Sequence, residues 1–225
     1  MKTAAEPAPS MDSVVVKDLA DADEMAMTNE AQLSNHFHLL RQTLLADVPG
    51  DVVELGCFRG TSAVLFQRVL AHYAPARDLH VYDSFEGLPP KSEADGDAPL
   101  EEGFCYATVE ELRDRFDAFD AAHPTVHEGW FEETLPEELP ETIAYAHLDG
   151  DFYDSVLTSL EAVYPRLAEG AIVVVDDYVD PSVLDHHDIL PGVKEACDEF
   201  FADRPEEVAV LACGENQAHG YVRKQ

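Results

Sequence analysis

Two apolar runs in this chain stop abruptly in carboxylates. Ile143 to Leu148 runs into Asp149-Gly150-Asp151, and Ala171 to Val175 runs into Asp176-Asp177. Short continuous apolar runs bounded by turn residues predict buried strands of a parallel sheet. Further strands are predicted at Asp51–Leu55, Leu79–Tyr82 and Thr125–His127, with a closing pair at Val208–Ala212 and His219–Val222 around a Gly-Glu-Asn turn. Helical spacing of Leu33, Phe37, Leu40 and Leu44 predicts a helix from Asn29 to Ala46. Leu65, Phe66, Val69, Leu70 and Tyr73 form the stripe of a second helix. Leu157, Leu160, Tyr164 and Leu167 form that of another, which Gly170 would cap. Thr108-Val109-Glu110-Glu111 fits a capping box for a helix reaching about Ala122, and Pro191-Gly192 precedes a helix carrying Val193, Cys197 and Phe200. Glu86–Gly103 reads as a long loop, Trp130–Glu141 as a connection with two prolines, and Val179–Leu190 as irregular. Alternating strands and helices predict an α/β fold: a doubly wound, mostly parallel seven-stranded sheet with a C-terminal antiparallel hairpin. Residues 1–28 read as an acidic arm or lid, and residues 29–225 as one domain.

Composition narrows the class. With 225 residues, 46% of them hydrophobic, the chain can bury a globular core. No run approaches the roughly 18 apolar residues of a membrane span, and the first residues lack the charged-then-apolar order of a signal peptide, so a cytoplasmic location is expected. Cys57, Cys105, Cys197 and Cys213 contain no paired spacing and are expected to be free thiols. The net charge is −32, from 46 acidic and 14 basic residues, which argues against nucleic acid or anionic membrane as partner. Because the acid is spread along the chain, adaptation to high salt explains it better than a cationic ligand does.

Hard divalent cations need several oxygens converging at one point, and the two strand-ending clusters offer them: Asp149, Asp176 and Asp177, with Asp151 alongside. A lone Asp after a strand is usually a turn former; two clusters after two buried strands point to a Mg2+ site. Glu54-Leu55-Gly56-Cys57-Phe58-Arg59-Gly60 is a strand-to-helix glycine turn of the kind that lets a ligand approach the backbone. It lacks the dinucleotide spacing, and the acid of Glu54 favours a cationic amino group over a pyrophosphate. Asp83, at the end of the second strand, is placed to accept from ribose hydroxyls. S-adenosylmethionine, an adenosine with a sulfonium and an amino-acid tail, suits the two together. His186-His187 reads as an exposed pair, and His147, within a strand, as a satisfied core histidine.

Gly50 to Gly56, Tyr82-Asp83-Ser84-Phe85-Glu86-Gly87-Leu88-Pro89, Leu148 to Ser155 and Asp176-Asp177-Tyr178, followed by Pro191-Gly192 and Gly220-Tyr221, resemble the macrocin O-methyltransferase family over about Leu33 to Arg223. The resemblance implies a class I, S-adenosylmethionine- and Mg2+-dependent enzyme that methylates sugar hydroxyls. It implies Asp149, Asp176 and Asp177 as metal ligands and Asp151 as general base. Glu54, Gly56, Gly60, Asp83 and Ser84 would form the cofactor site, with Gly129, Trp130 and Phe131 on the adenine side. The acidic loop Glu93–Glu102 and the acidic arm depart from the family pattern where the acceptor, a sugar or glycoside, would lie. The rival readings are a catechol-type methyltransferase, a non-catalytic cofactor-binding protein and, behind both, a NAD-dependent dehydrogenase.

Overall fold

In the computed structural model, residues 13–225 are described except Glu24, Ala26, 185–188 and 215–216. His186-His187 and most of the turn between the last two strands therefore lie outside the described residues. The helices are α1 Ser13–Asp21, α2 Glu30–Leu45, α3 Thr61–Tyr73, α4 Val109–Ala118, α5 Phe131–Glu138, α6 Tyr153–Val163 and α7 Pro191–Phe201. The strands are β1 Asp51–Leu55, β2 Leu79–Asp83, β3 Thr125–Glu128, β4 Ile143–Leu148, β5 Leu167–Val175, β6 Ala209–Ala212 and β7 Ala218–Arg223.

They form one seven-stranded sheet in the order β3-β2-β1-β4-β5-β7-β6. β3 to β5 pair in parallel, β7 runs antiparallel to β5, and β6 antiparallel to β7. Chain order reverses between β1 and β4, so the crevice for a ligand opens above their carboxyl ends. All six residues of β4 are buried, as the unbroken apolar run requires for a central strand covered on both faces. One core packs α5, α6 and α7 against the sheet through Leu135, Phe152, Val156, Leu160, Val193 and Phe200. The opposite core packs α1 to α4 through Leu19, Leu33, Leu40, Leu65, Phe66 and Phe116.

Four local expectations are corrected. Part of the expected arm is helix α1, whose Leu19 is fully buried against the second core. Trp130–Glu141 contains helix α5 despite the internal Pro136. Leu167 opens β5 instead of extending α6, because Tyr164-Pro165-Arg166 tightens into a 3-10 turn that ends the helix. Gly170 accordingly caps no helix. It sits in β5 at φ 82°, and its N–H donates to Lys224 O at 2.9 Å.

The acidic loop before α4 is pinned at Asp95, which is 1% exposed. Its Oδ2 accepts from Ser92 N and Oγ, and its Oδ1 accepts from Tyr153 N, the first helical residue of α6. A side chain at Gly192, in the first turn of α7, would place its Cβ 2.1 Å from Asp95 Oδ1. One carboxylate thus joins the loop to the starts of two helices.

Candidate active site

β1 ends in the turn Gly56-Cys57-Phe58, and β2 supplies the acid that shapes it. Asp83 Oδ2 accepts from Cys57 N at 3.0 Å and Phe58 N at 2.8 Å, while Oδ1 accepts from Phe85 N at 2.8 Å. Asp83 therefore builds the turn as well as facing the cavity. Gly56, at φ 85°, lies so close to the end of β4 that a Cβ would come 1.8 Å from Asp149 O. The turn and the carboxylate cluster are one packed unit.

Above them lies a cavity of about 430 Å³, within the size range of small-molecule sites. Gly56, Phe58, Asp83, Ser84, Trp130, Phe131, Asp149, Asp151, Asp176 and Asp177 all line it, together with Met27, Leu88 and Leu190. Three expected cofactor residues do not line it. Gly60 starts α3, where a Cβ would strike Leu112 Cδ1 at 2.4 Å. Gly129 lies behind Trp130 and donates its N–H to Asp83 O. Glu54 is fully buried: its Oε1 accepts from Ser62 Oγ at 2.5 Å and pairs with His147 Nδ1 at 2.9 Å. Along β1, Glu54 faces its register neighbour on β4 and not the crevice.

The carboxylates fall into two groups that share Asp149. Ligand atoms of Asp149, Asp151 and Asp177 lie within 4.8 Å of one another, and so do those of His147, Asp149 and Asp176. Burial, then repulsion from Asp176 and Asp151, raises the Asp149 carboxyl well above its ordinary range. Burial and the charge of Asp176 push Asp151 up to about 7. Asp176 behaves oppositely. Burial raises it, but His219, whose Nε2 lies 2.9 Å from Asp176 Oδ1, outweighs that and holds the carboxyl below its usual range. Carboxylates this close are held together by shared protons or by a cation, so the donor set fits a hard divalent ion.

Asp151 at φ 57°, Asp177 at φ 53° and Phe58 at φ 46° all adopt the left-handed region and all line the cavity. Non-glycine residues held there concentrate at functional sites. Asp151 does not cap α6: the N-cap is Phe152, and Tyr153 N is bonded by Asp95. Sequence reasoning missed Gln32 of α2, whose Nε2 reaches Asp176 at 3.4 Å, and His219 of β7. His219 directly precedes Gly220-Tyr221 and Gln32 belongs to the α2 capping box, but neither setting signals a ligand; the folded chain brings both to one carboxylate.

Residues 10–204 match the macrocin O-methyltransferase (TylF) family. The 8-demethyl-8-(2,3-dimethoxy-alpha-L-rhamnosyl)-tetracenomycin-C 4'-O-methyltransferase of Streptomyces olivaceus is 40% identical over 147 residues, 61% of this chain and 56% of that protein. The demethyldecarbamoylnovobiocin O-methyltransferase of Streptomyces niveus is 32% identical over 190 residues, covering 80% of this chain and 69% of that protein. The match thus spans a little over half to two thirds of these relatives' lengths. Among solved structures, the O-methyltransferase NovP superposes with a TM-score of 0.80 at 27% identity, covering 95% of this chain and 100% of that one. The calicheamicin methyltransferase CalS11, at 21% identity and a TM-score of 0.68, shares the fold. Among the described residues no helix is long and apolar enough to cross a membrane.

Proposed function

The chain belongs to the macrocin O-methyltransferase family, and from that premise we propose that it transfers a methyl group from S-adenosylmethionine to a hydroxyl of a sugar or glycoside, with a divalent cation, Mg2+ in the first instance, at Asp149, Asp176 and Asp177. The observation that carries the reading is the junction of turn and cluster. The glycine turn that can admit a cofactor touches the end of β4 that supplies Asp149. Donor and acceptor pockets therefore share one cavity.

When bound, S-adenosylmethionine supplies an electrophilic methyl and the cation acidifies an acceptor hydroxyl. The chain's own residues do the rest. The Gly56–Phe58 turn, fixed by Asp83, leaves room for the donor against the backbone. Trp130 and Phe131 offer aromatic faces for a purine, and Ser84 a hydroxyl beside Asp83. Asp149, Asp176 and Asp177 present oxygens from the ends of two adjacent strands. Asp151 lines the same cavity beside Asp149, where its carboxylate could take a proton from an acceptor hydroxyl. Alignment of donor and acceptor in one enclosed site supplies the remaining advantage.

The test is an acceptor screen with S-adenosylmethionine and Mg2+ across neutral glycosides, nucleotide-linked sugars and catechols, read by mass spectrometry. Methylation of a sugar hydroxyl is expected. Methylation confined to catechols would replace this reading with the catechol-type one, and no S-adenosylhomocysteine with any acceptor would count against an enzyme.

A further inference from the structure

Among the described residues, α2 and α4 open on capping boxes, and they close them with different residues. α4 uses Glu111, as expected in a chain with 46 acidic residues, whereas α2 uses Gln32. The cap does not distinguish the two, because it needs only a side-chain oxygen. Gln32 Oε1 accepts from Asn29 N at 2.9 Å, as Glu111 Oε2 does from Thr108 N at 2.9 Å. What glutamine adds is the amide nitrogen. With Oε1 engaged in the cap, Nε2 turns to Asp176 and lies 3.4 Å from both Oδ1 and Oδ2. Gln32 is buried and lines the cavity.

We propose that Gln32 is a positioning residue of the cation site, whose amide holds the Asp176 carboxylate in the orientation that brings it to Asp149. The inference rests on the reading that Asp176 binds a divalent cation. Asp176 and Asp149 already offer ligand atoms within 4.8 Å of each other. One donor shared between both oxygens limits rotation of the carboxylate. Being uncharged, it does not neutralise that carboxylate as a lysine would. Glutamate in its place would serve the cap and set another negative charge against Asp176. The amide is itself anchored. Asn29 Oδ1 accepts from Gln32 N at 3.0 Å, and Asn29 Nδ2 donates to Gln217 Oε1. Gln217 directly precedes β7, which carries His219, and His219 Nε2 lies 2.9 Å from Asp176 Oδ1. Asp176 is thus approached from α2 and from β7, and the two approaches are tied to each other. Outer partners of this kind orient a metal ligand, and losing one lowers metal affinity about 10- to 100-fold.

The experiment is a Mg2+ titration of the uniformly 15N-labelled full chain, followed by nuclear magnetic resonance. The side-chain amide of Gln32 is expected to shift with Mg2+, while those of Gln42 and Gln67, which do not line the cavity, stay still. Mg2+ affinity is then compared in two variants. Gln32→Met keeps the length of the side chain and removes the donor; it should weaken Mg2+ about 10-fold. Asn29→Ala removes the side-chain cap and keeps the Gln32 amide; it should lower the melting temperature and bind Mg2+ near the wild-type affinity. Equal affinity in Gln32→Met and wild type reduces Gln32 to a cap and overturns the proposal. An equal loss in both variants overturns it too, because the loss then follows the cap and not the donor. So does a Gln32 side-chain amide that stays fixed while the backbone amide of Asp177 shifts, a measurement that decides the matter even if Gln32→Met does not fold. No Mg2+ binding to the wild-type chain overturns the cation reading together with this one.

Discussion

Gly56→Ala should disable cofactor turn and carboxylate cluster at once. The new Cβ would sit 1.8 Å from Asp149 O and 2.8 Å from Asp149 C. Real Cβ contacts hardly ever fall below 3.0 Å, so the two backbones must part by about 1.2 Å at the oxygen. That motion strains the bonds that align the strand ends: Gly56 N to Tyr82 O and Asp149 N to Leu55 O, each 2.8 Å. Alanine at φ 85° adds about 1–2 kcal/mol of left-handed strain, and forcing apart a packed contact adds about 1–3 kcal/mol. A loss of about 2–5 kcal/mol is expected by urea denaturation. A displacement near 1 Å at a catalytic group costs about 10²-fold in rate. Gly103→Ala is the control, because Gly103 has φ 80° but nothing within 4 Å of its added Cβ. It should show the backbone strain alone and keep cofactor and cation affinity. If Gly56→Ala matches Gly103→Ala in stability, S-adenosylhomocysteine binding by calorimetry and cation affinity, the turn and the cluster are not one unit.

Three further outcomes are expected. Asp151→Asn should lower turnover about 10²–10⁴-fold with saturating cation and cofactor, while S-adenosylhomocysteine binding stays near wild type; a near-wild-type rate removes Asp151 as base. Asp151, its carboxyl raised to about 7 by burial and the charge of Asp176, contributes stability that is present below the unfolded value near 3.8 and lost as pH rises through 7; Asp149 is raised in the same direction by burial and its acidic neighbours. A cation that replaces those protons should therefore raise the melting temperature by an increment that grows from about pH 5 to about pH 8, and an increment flat in pH contradicts the cluster as its binding site. The net charge of −32 predicts a melting temperature that climbs with KCl up to about 1 M; a steady fall would exclude adaptation to high salt.

The strand ends were legible because β4 and β5 are apolar until the residue where they leave the sheet, and a carboxylate beyond such a run has only the crevice or solvent to face. Asp149, Asp151, Asp176 and Asp177 were read correctly as neighbours for that reason. The partners of Glu54 were not legible, because a strand-terminal acid ahead of a glycine turn looks the same whether it faces a ligand or a partner strand. What decides it is His147, distant in sequence and adjacent in register. Helix α5 was hidden by Pro136, which removes a backbone donor but is tolerated at the sixth position of an eight-residue helix. Gly170 resembled a helix cap because its left-handed backbone serves equally in a strand meeting the chain's last residues. Pairings that depend on register or on the far end of the chain, such as Asp176 with His219, leave no local pattern to read.

The pinning of Asp95 bears on how this scaffold could be re-tailored. The segment before α4 rims the cavity through Leu88, Pro89, Pro90 and Leu100, so exchanging it would change what the cavity admits. Here that segment is also structural hardware, because Asp95 supplies the acceptor that the first turn of α6 lacks and fills the space kept clear at Gly192. A graft without an equivalent of Asp95 would leave Tyr153 N bare and a void beside α7. A graft carrying the acid into a chain with a larger residue at the Gly192 position would collide. The loop, residue 95 and residue 192 form a single exchangeable cassette, and libraries that vary the rim while holding that pair fixed should yield more folded variants than those that cut between them.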